Sequence, residues 1–224
     1  MTSEELCNKY RNIRSKIPAL ADLDEVDWHS LHHAHGEASD FPILINAALS
    51  VDAKDRQFAL RLLYETIWHQ GTIYQATAFA VPFIVKLIQS RDISNQVDFA
   101  MLFATIAQGE ASFVHGFKNE KDEKMWQEIY AHKGWDLHEK IKDNIKWNLA
   151  TKEVSQKNLL VLYPYLNYQD GFVREYIAEV LSCYPELGFE TLPLLESRIS
   201  IEEGKDVKIW LEKALHKLKE SVKE

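Results

Sequence analysis

The chain has 224 residues, of which 46% are hydrophobic and 11% aromatic, enough for a continuous buried core in one large domain or two small ones. Its formal net charge of -8 and isoelectric point near 5.6 oppose a phosphate-binding surface, because nucleic-acid affinity depends on clustered lysine and arginine. This charge favours a basic protein as the partner and excludes nucleic acid from the expected ligands.

The cysteines and the start of the chain indicate a cytoplasmic protein. Cys7 and Cys183 are the only cysteines, and they lack both the density of a disulfide scaffold and the paired spacing of a zinc site. Met1-Thr2-Ser3-Glu4-Glu5 lacks the basic start and apolar run of a signal peptide, and no later stretch is apolar for long enough to span a bilayer. We therefore expect no membrane contact.

Apolar residues recur at helical spacing along most of the chain, which predicts amphipathic helices joined by short connections. Thr72 and Gln75 have the spacing of a capping box, so one helix is expected to begin at Thr72. The predicted helices cover residues 3–17, 27–35, 40–50, 53–69, 73–89, 95–108, 122–132, 136–150, 155–167, 171–184, 190–199 and 206–220.

Some of these segments resemble one another. Residues 170–181 and 206–215 share an acidic start, a β-branched residue followed by a base, and an apolar face ending near leucine. The interval from Val173 to Val207 falls within the period of two-helix repeats, about 34 to 47 residues. The fold class predicted is therefore all-α, a HEAT-like α-solenoid of about five helix pairs in a single domain over residues 1–224.

Residues 110–136 interrupt this pattern. The segment is polar and highly charged, and it carries Trp126, Tyr130 and Trp135 at its end. A long insertion in a repeat protein usually projects from one face, which makes this one a candidate binding loop. A loop that only covers the helical stack is an equally good interpretation. If the insertion binds a partner, the residues expected to do so are Glu120, Asp122, Glu123, Trp126, Glu128 and Trp135.

Residues 27–42 and 63–83 carry the most distinctive sequence. The first stretch begins Asp27-Trp28-His29, and the second contains a His-Gln-Gly-Thr-x-Tyr-x-Ala-Thr block. Together they resemble a family of bacterial HEAT-repeat proteins. Most members have no assigned activity, and some resemble immunity proteins encoded beside contact-dependent or polymorphic toxins. The family-motif residues, expected to be chiefly structural, are Trp28, His69, Gln70, Gly71, Thr72 and Tyr74.

Histidines are concentrated in the first of these stretches. His29 and His33 would lie one turn apart on a helix and could face a single metal ion. No further ligand is evident, so the favoured interpretation is that Trp28, Leu31 and His35 form a core stripe while the other imidazoles cap or face solvent, and no metal is expected. In the second stretch, Gly71 is expected to adopt the left-handed conformation after a helix that ends near His69.

Neither a catalytic nor a cofactor-binding motif is apparent. The chain lacks a Gly-x-Ser-x-Gly nucleophile motif and a glycine-rich phosphate loop, and Cys183 is interpreted as a packing residue. We therefore expect a protein that is not an enzyme, has no cofactor, and binds and neutralises a basic bacterial toxin, such as a nuclease domain. The alternatives are a DNA-binding enzyme of the alkylpurine glycosylase type, with Lys140, Lys142 and Lys146 as its basic stripe, and a general assembly scaffold.

Overall fold

The computed structural model describes residues 1–14 and 16–223, and these are mostly helical, which confirms the all-α class. The helices coincide with segments in which apolar residues recur at three- and four-residue spacing. The α-helices are α1 Ser3–Tyr10, α2 Phe41–Ala47, α3 Ala53–Thr66, α4 Gln75–Gln89, α5 Gln96–Gln108, α6 Glu120–His132, α7 Leu137–Asn158, α8 Gly171–Leu181, α9 Gly188–Ile201 and α10 Lys205–Lys223. Among the described helices, none is long and apolar enough to cross a membrane.

Short 3-10 helices and two small hairpins complete the described elements. Each hairpin pairs two antiparallel strands of two residues: β1 His32–His33 with β2 Gly36–Glu37, and β3 Trp68–His69 with β4 Thr72–Ile73. The 3-10 helices are Pro18–Leu20, Leu23–Glu25, Trp28–Ser30, Leu159–Asn167 and Pro185–Leu187.

The predictions for the N-terminal region are partly wrong. The helix predicted over 3–17 ends at Tyr10, and Ser15 lies outside the described residues. The helix predicted over 27–35 is instead the Trp28–Ser30 turn followed by the first hairpin. A main-chain bond of 2.8 Å from the Ala38 N–H to the Leu31 carbonyl closes this hairpin, so its backbone groups are paired without a helix.

Two further boundaries differ from the prediction. The capping box at Thr72 is wrong: Thr72 belongs to β4, and α4 begins at Gln75. The break predicted near residue 150 is also absent, because α7 continues to Asn158. It then tightens into the Leu159–Asn167 3-10 helix, which contains Pro164. Proline removes a backbone donor, and this favours a departure from α-helical geometry.

Consecutive helices pack in pairs. α2 packs on α3, α4 on α5, the Leu159–Asn167 helix on α8, and α9 on α10. The second members of successive pairs also touch, since α5 contacts α8 and α8 contacts α10. Within α5, every residue from Phe99 to Ala107 except Met101 is buried. α5 is therefore the centre of the core, covered by α4, α7, α8 and the Leu159–Asn167 helix.

A buried ionic cluster joins α8 to the end of α9. Arg174 binds both carboxylate oxygens of Glu202, at 2.8 and 2.9 Å, and Arg198 donates to Glu202 Oε2 at 2.8 Å. The Gly204 N–H donates to Glu202 Oε1 at 2.9 Å. Burial of the carboxyl acts to raise its pKa, but the hydrogen bonds from Arg174, Gly204 and Arg198 outweigh it and lower the pKa of Glu202 to about 2.

We predict that Glu202→Gln lowers the free energy of unfolding by about 3 kcal/mol at pH 7, because it leaves two arginines with an uncharged partner. A carboxyl group whose pKa is lower in the folded than in the unfolded state stabilises the fold at pH values above its unfolded-state pKa. This stabilisation is lost as the pH falls through the folded-state pKa. The difference between wild type and variant should therefore shrink from about pH 4.5 towards pH 2. Urea unfolding across this range measures it. The exposed neighbour variant Glu203→Gln is the control, and an equal effect from it would contradict the prediction.

Candidate functional site

The two hairpins lie beside each other, next to the end of α3 and the start of α4. The Ala34 N–H in the first hairpin donates to the Thr66 carbonyl at the end of α3, at 3.0 Å. The His32 N–H donates to the Gln75 side chain at the start of α4, at 3.1 Å. The rings of His35 and His69, one from each hairpin, meet edge to face at 5.5 Å. Two segments that are distant in sequence thus form one surface.

The His69–Thr77 block spans most of the second hairpin and the start of α4. Gln70 and Gly71 have φ of 51° and 90°, the positive values that a two-residue hairpin turn of the I′ kind requires. The left-handed conformation predicted for Gly71 is confirmed, although it serves this turn and not a helix end. His69 lies in β3 and contacts His35, while Thr72 pairs with it from β4.

Thr77, within the same block, fastens this hairpin to α4. Its hydroxyl donates to the Ile67 carbonyl at 2.6 Å and accepts from the Tyr74 N–H at 2.8 Å, and the side chain is fully buried. Thr77 therefore supplies the bond to the helix start that the prediction had given to Thr72 and Gln75. A buried carbonyl and a partly buried N–H both depend on this one hydroxyl.

We predict that Thr77→Val, which keeps the shape and removes the hydroxyl, lowers the free energy of unfolding by about 2 kcal/mol. Thr77→Ser should retain both hydrogen bonds and lose less than half as much. Chemical denaturation of the three proteins measures the difference. A loss for serine as large as that for valine would contradict the prediction, because serine keeps the hydroxyl and valine does not.

The insertion is attached to the second hairpin by main-chain bonds. The Glu110 N–H donates to the Gly71 carbonyl at 2.9 Å, and the Ile73 N–H donates to the Glu110 carbonyl at 3.0 Å. Just before it, Gly109 lies so close to the hairpin that an added Cβ would sit 2.6 Å from Ile73 Cγ2 and 3.0 Å from Trp68 Cδ1. Only glycine permits this approach.

We predict that Gly109→Ala separates the insertion from β4 and lowers the free energy of unfolding by about 1 to 3 kcal/mol, because the buried Ile73 must move. Amide exchange at Ile73 should also become faster, since its main-chain partner Glu110 shifts. Gln108→Ala is the control next to it in the chain. Unchanged exchange at Ile73 would contradict the proposed attachment.

Five aromatic rings form a cluster within the insertion. Phe113 contacts Phe117 at 5.2 Å and Trp126 at 5.2 Å, Trp126 contacts Tyr130 at 6.3 Å, and Tyr130 contacts Trp135 at 5.9 Å. Phe113 has φ of 67°, a value that costs energy in a residue with a side chain. Burial, and then the nearby Tyr130, raise the pKa of Tyr74, the residue that follows β4.

The two tryptophans named as possible anchors have different environments. Trp126 is half-buried within the aromatic cluster. Trp135 is 49% exposed, and the ammonium groups of Lys133 and Lys140 lie 5.4 and 5.3 Å from its ring centre. Trp135 is thus the ring that a partner could reach, while Trp126 supports the insertion.

The acidic residues named with them lie apart from Trp135. Glu120, Asp122 and Glu123 occupy the first turn of α6, where carboxylates are stabilised by the helix dipole, and Asp122 accepts from the Lys118 N–H at 3.2 Å. Trp135 follows the far end of α6, about 20 Å away by helix length. Glu128 is exposed between them. Over residues 110–136, six acidic residues stand against four lysines, so the insertion is only weakly acidic.

The histidines are engaged in separate local contacts. His29 Nδ1 lies 2.6 Å from Glu37, and the buried His33 has Nε2 2.9 Å from Asp40. The helix that would have aligned His29 with His33 is absent. Among the described residues, no three or more of His, Cys, Asp and Glu are grouped so as to hold a metal ion.

Trp28 and the lysine stripe have structural surroundings. The buried Trp28 ring packs 4.3 Å from Phe41, and its N–H donates to the Leu23 carbonyl at 2.8 Å. Lys140 lies over Trp135, Lys142 pairs with Glu139 at 2.7 Å, and Lys146 lies over Trp147 at 4.5 Å.

A comparison of the chain with protein-family models, curated proteins and solved structures finds no match.

Proposed function

We propose that the helix pairs form an α-solenoid of the HEAT kind that binds another protein. The order of packing supports this, because the second helix of one pair contacts the second helix of the next through α5, α8 and α10. In such an array each pair contacts chiefly its neighbours, and the loops between pairs share one edge. The two hairpins and the insertion would occupy this edge.

We propose further that the protein is an immunity protein that binds and neutralises a cognate basic toxin of bacteria, such as a nuclease domain. The observation that carries this is the way the insertion presents Trp135. The main-chain bonds to β3–β4 and the aromatic cluster order the insertion before any partner arrives, and preorganisation reduces the entropy cost of binding. The resemblance of the His69–Thr77 block to the HEAT-repeat family and the net charge of -8 support the choice of partner.

Co-expression with the product of a neighbouring toxin gene tests this function. The protein should protect the cells and co-purify with the toxin domain in a stable complex. Absence of both protection and complex would contradict the proposal. Protection without a complex would point to another mechanism and would also count against it.

We predict that Trp135→Ala and Trp126→Ala affect different quantities. Trp135→Ala removes an exposed anchor, so it should raise the dissociation rate of the toxin complex about 30-fold and leave the melting temperature unchanged. Trp126→Ala removes a half-buried ring that contacts both Phe113 and Tyr130, so it should lower the melting temperature. Binding kinetics and thermal melting of both variants measure these effects.

Charge reversal provides the matched comparison. Glu120→Lys with Glu128→Lys should chiefly slow association and weaken its dependence on salt, because exposed rim charges act mainly on the encounter rate. If Trp135→Ala and the charge reversals all leave the kinetics unchanged, the insertion does not contact the toxin and only covers the stack.

A further inference from the structure

An open groove of about 360 Å³ lies between α3 and α5, on the face formed by the second helices of the pairs. Sequence analysis did not single it out. Its walls are mostly apolar, with a charged residue at either side. It is lined by Gln57, Leu60, Arg61, Tyr64, Asp98 and Met101.

Tyrosine hydroxyls link this groove to α8. The Tyr176 hydroxyl donates to Thr105 Oγ1 at 3.0 Å, and the Thr105 hydroxyl donates to the Met101 carbonyl at 2.8 Å. Burial raises the pKa of Tyr64 to about 12, and a hydrogen bond with Thr105 opposes this rise. Thr105 lies one helical turn beyond the groove residue Met101, so Tyr176 of α8 contacts the stripe of α5 that also lines the groove with Tyr64 of α3.

The surface continues along the exposed stripe of α8. Phe172, which is 65% exposed, stacks on Tyr176 with ring centres 6.1 Å apart and planes within 9°. Glu175 and Glu179 lie on the same side of α8, at the three- and four-residue spacing that aligns helical side chains. An exposed aromatic ring beside two carboxylates is thus adjacent to the groove.

The carboxylates of this surface carry uncompensated charge. Asp98, Glu175 and Glu179 form no ion pair with any side chain in the described part of the chain. Arg61, by contrast, lies 3.5 Å from Glu65 and stacks 4.7 Å over the Phe58 ring. The groove is therefore apolar at its base and negative along the side that adjoins α8.

We propose that this surface docks a basic segment of the protein partner, with an aliphatic or aromatic side chain in the groove and lysine or arginine side chains on Asp98, Glu175 and Glu179. This docking site rests on the proposed function, because it assumes the same protein partner. The partner's basic segment would bind this face, while Trp135 of the insertion would contact another part of the partner. Charge complementarity selects this occupant, since anionic lipids and nucleic acids would be repelled.

Labelled peptides of about 16 residues test the surface in the full-length protein. The first alternates lysine and leucine at helical spacing, the second replaces leucine by serine, and the third replaces lysine by glutamate. Fluorescence anisotropy should show salt-sensitive binding of the first peptide and at least about tenfold weaker binding of the other two. Equal binding of the leucine and serine peptides would overturn the role of the groove.

Two triple variants with the same net charge locate the binding. The first is Asp98→Asn, Glu175→Gln and Glu179→Gln, which should weaken binding of the lysine–leucine peptide at least about tenfold. The matched control is Glu186→Gln, Glu190→Gln and Glu203→Gln, at exposed acids outside this face, and it should bind like wild type. Equal affinities of the two variants would overturn the proposal, because binding would then follow net charge alone.

Toxin co-expression separates this proposal from the proposed function. A protein that binds the basic peptide through Asp98, Glu175 and Glu179 but protects no cells supports the surface and contradicts the immunity function. A protein that protects cells while its two triple variants bind the peptide equally contradicts the surface alone. Melting temperatures of all variants confirm that they fold.

Discussion

The burial of α5 determines how the rest of the molecule is arranged. A helix with almost no exposed side chain must be covered on all sides, and here α4, α7, α8 and the Leu159–Asn167 helix cover it. The cover brings the C-terminal pairs against the N-terminal ones, so the chain forms one continuous core. It also determines where α5 ends. Gly109 follows the helix in close contact with the β3–β4 hairpin, and the insertion begins in contact with β4.

Much of the helical content could be predicted, because apolar residues at three- and four-residue spacing recur wherever a helix packs. The hairpins could not, since strands of two residues are too short to show a period. Their stability comes from bonds such as Ala34 to Thr66 and Glu110 to Gly71, which join residues far apart in sequence. The turn at Gly71 was recognisable because glycine next to a polar residue marks a turn. The hydrogen bond from the buried Thr77 hydroxyl to the Ile67 carbonyl was not, because it depends on how the two residues meet in the folded chain.

The candidate binding residues were predictable by type and not by role. Trp126 and Trp135 are equivalent in sequence, and only the position of Phe113 and Tyr130 makes one a supporting ring and leaves the other exposed. Glu120, Asp122 and Glu123 were expected to share the surface of Trp135, but they lie in the first turn of α6, at the opposite end of that helix. The groove between α3 and α5 had no local signal, because Tyr64 and Met101 come from helices that meet only in the folded chain.

The construction of α6 has a consequence for the folding of the whole protein. None of its described residues is buried, and it rests on α7 and a few aromatic rings, so little apolar area is exposed when it opens. Its opening free energy should be much smaller than that of the stack around α5, and the two would unfold as separate cooperative units. A partner that held Trp135 would close α6 as well, and its binding would appear as slower exchange along α6, far beyond the residues it touches.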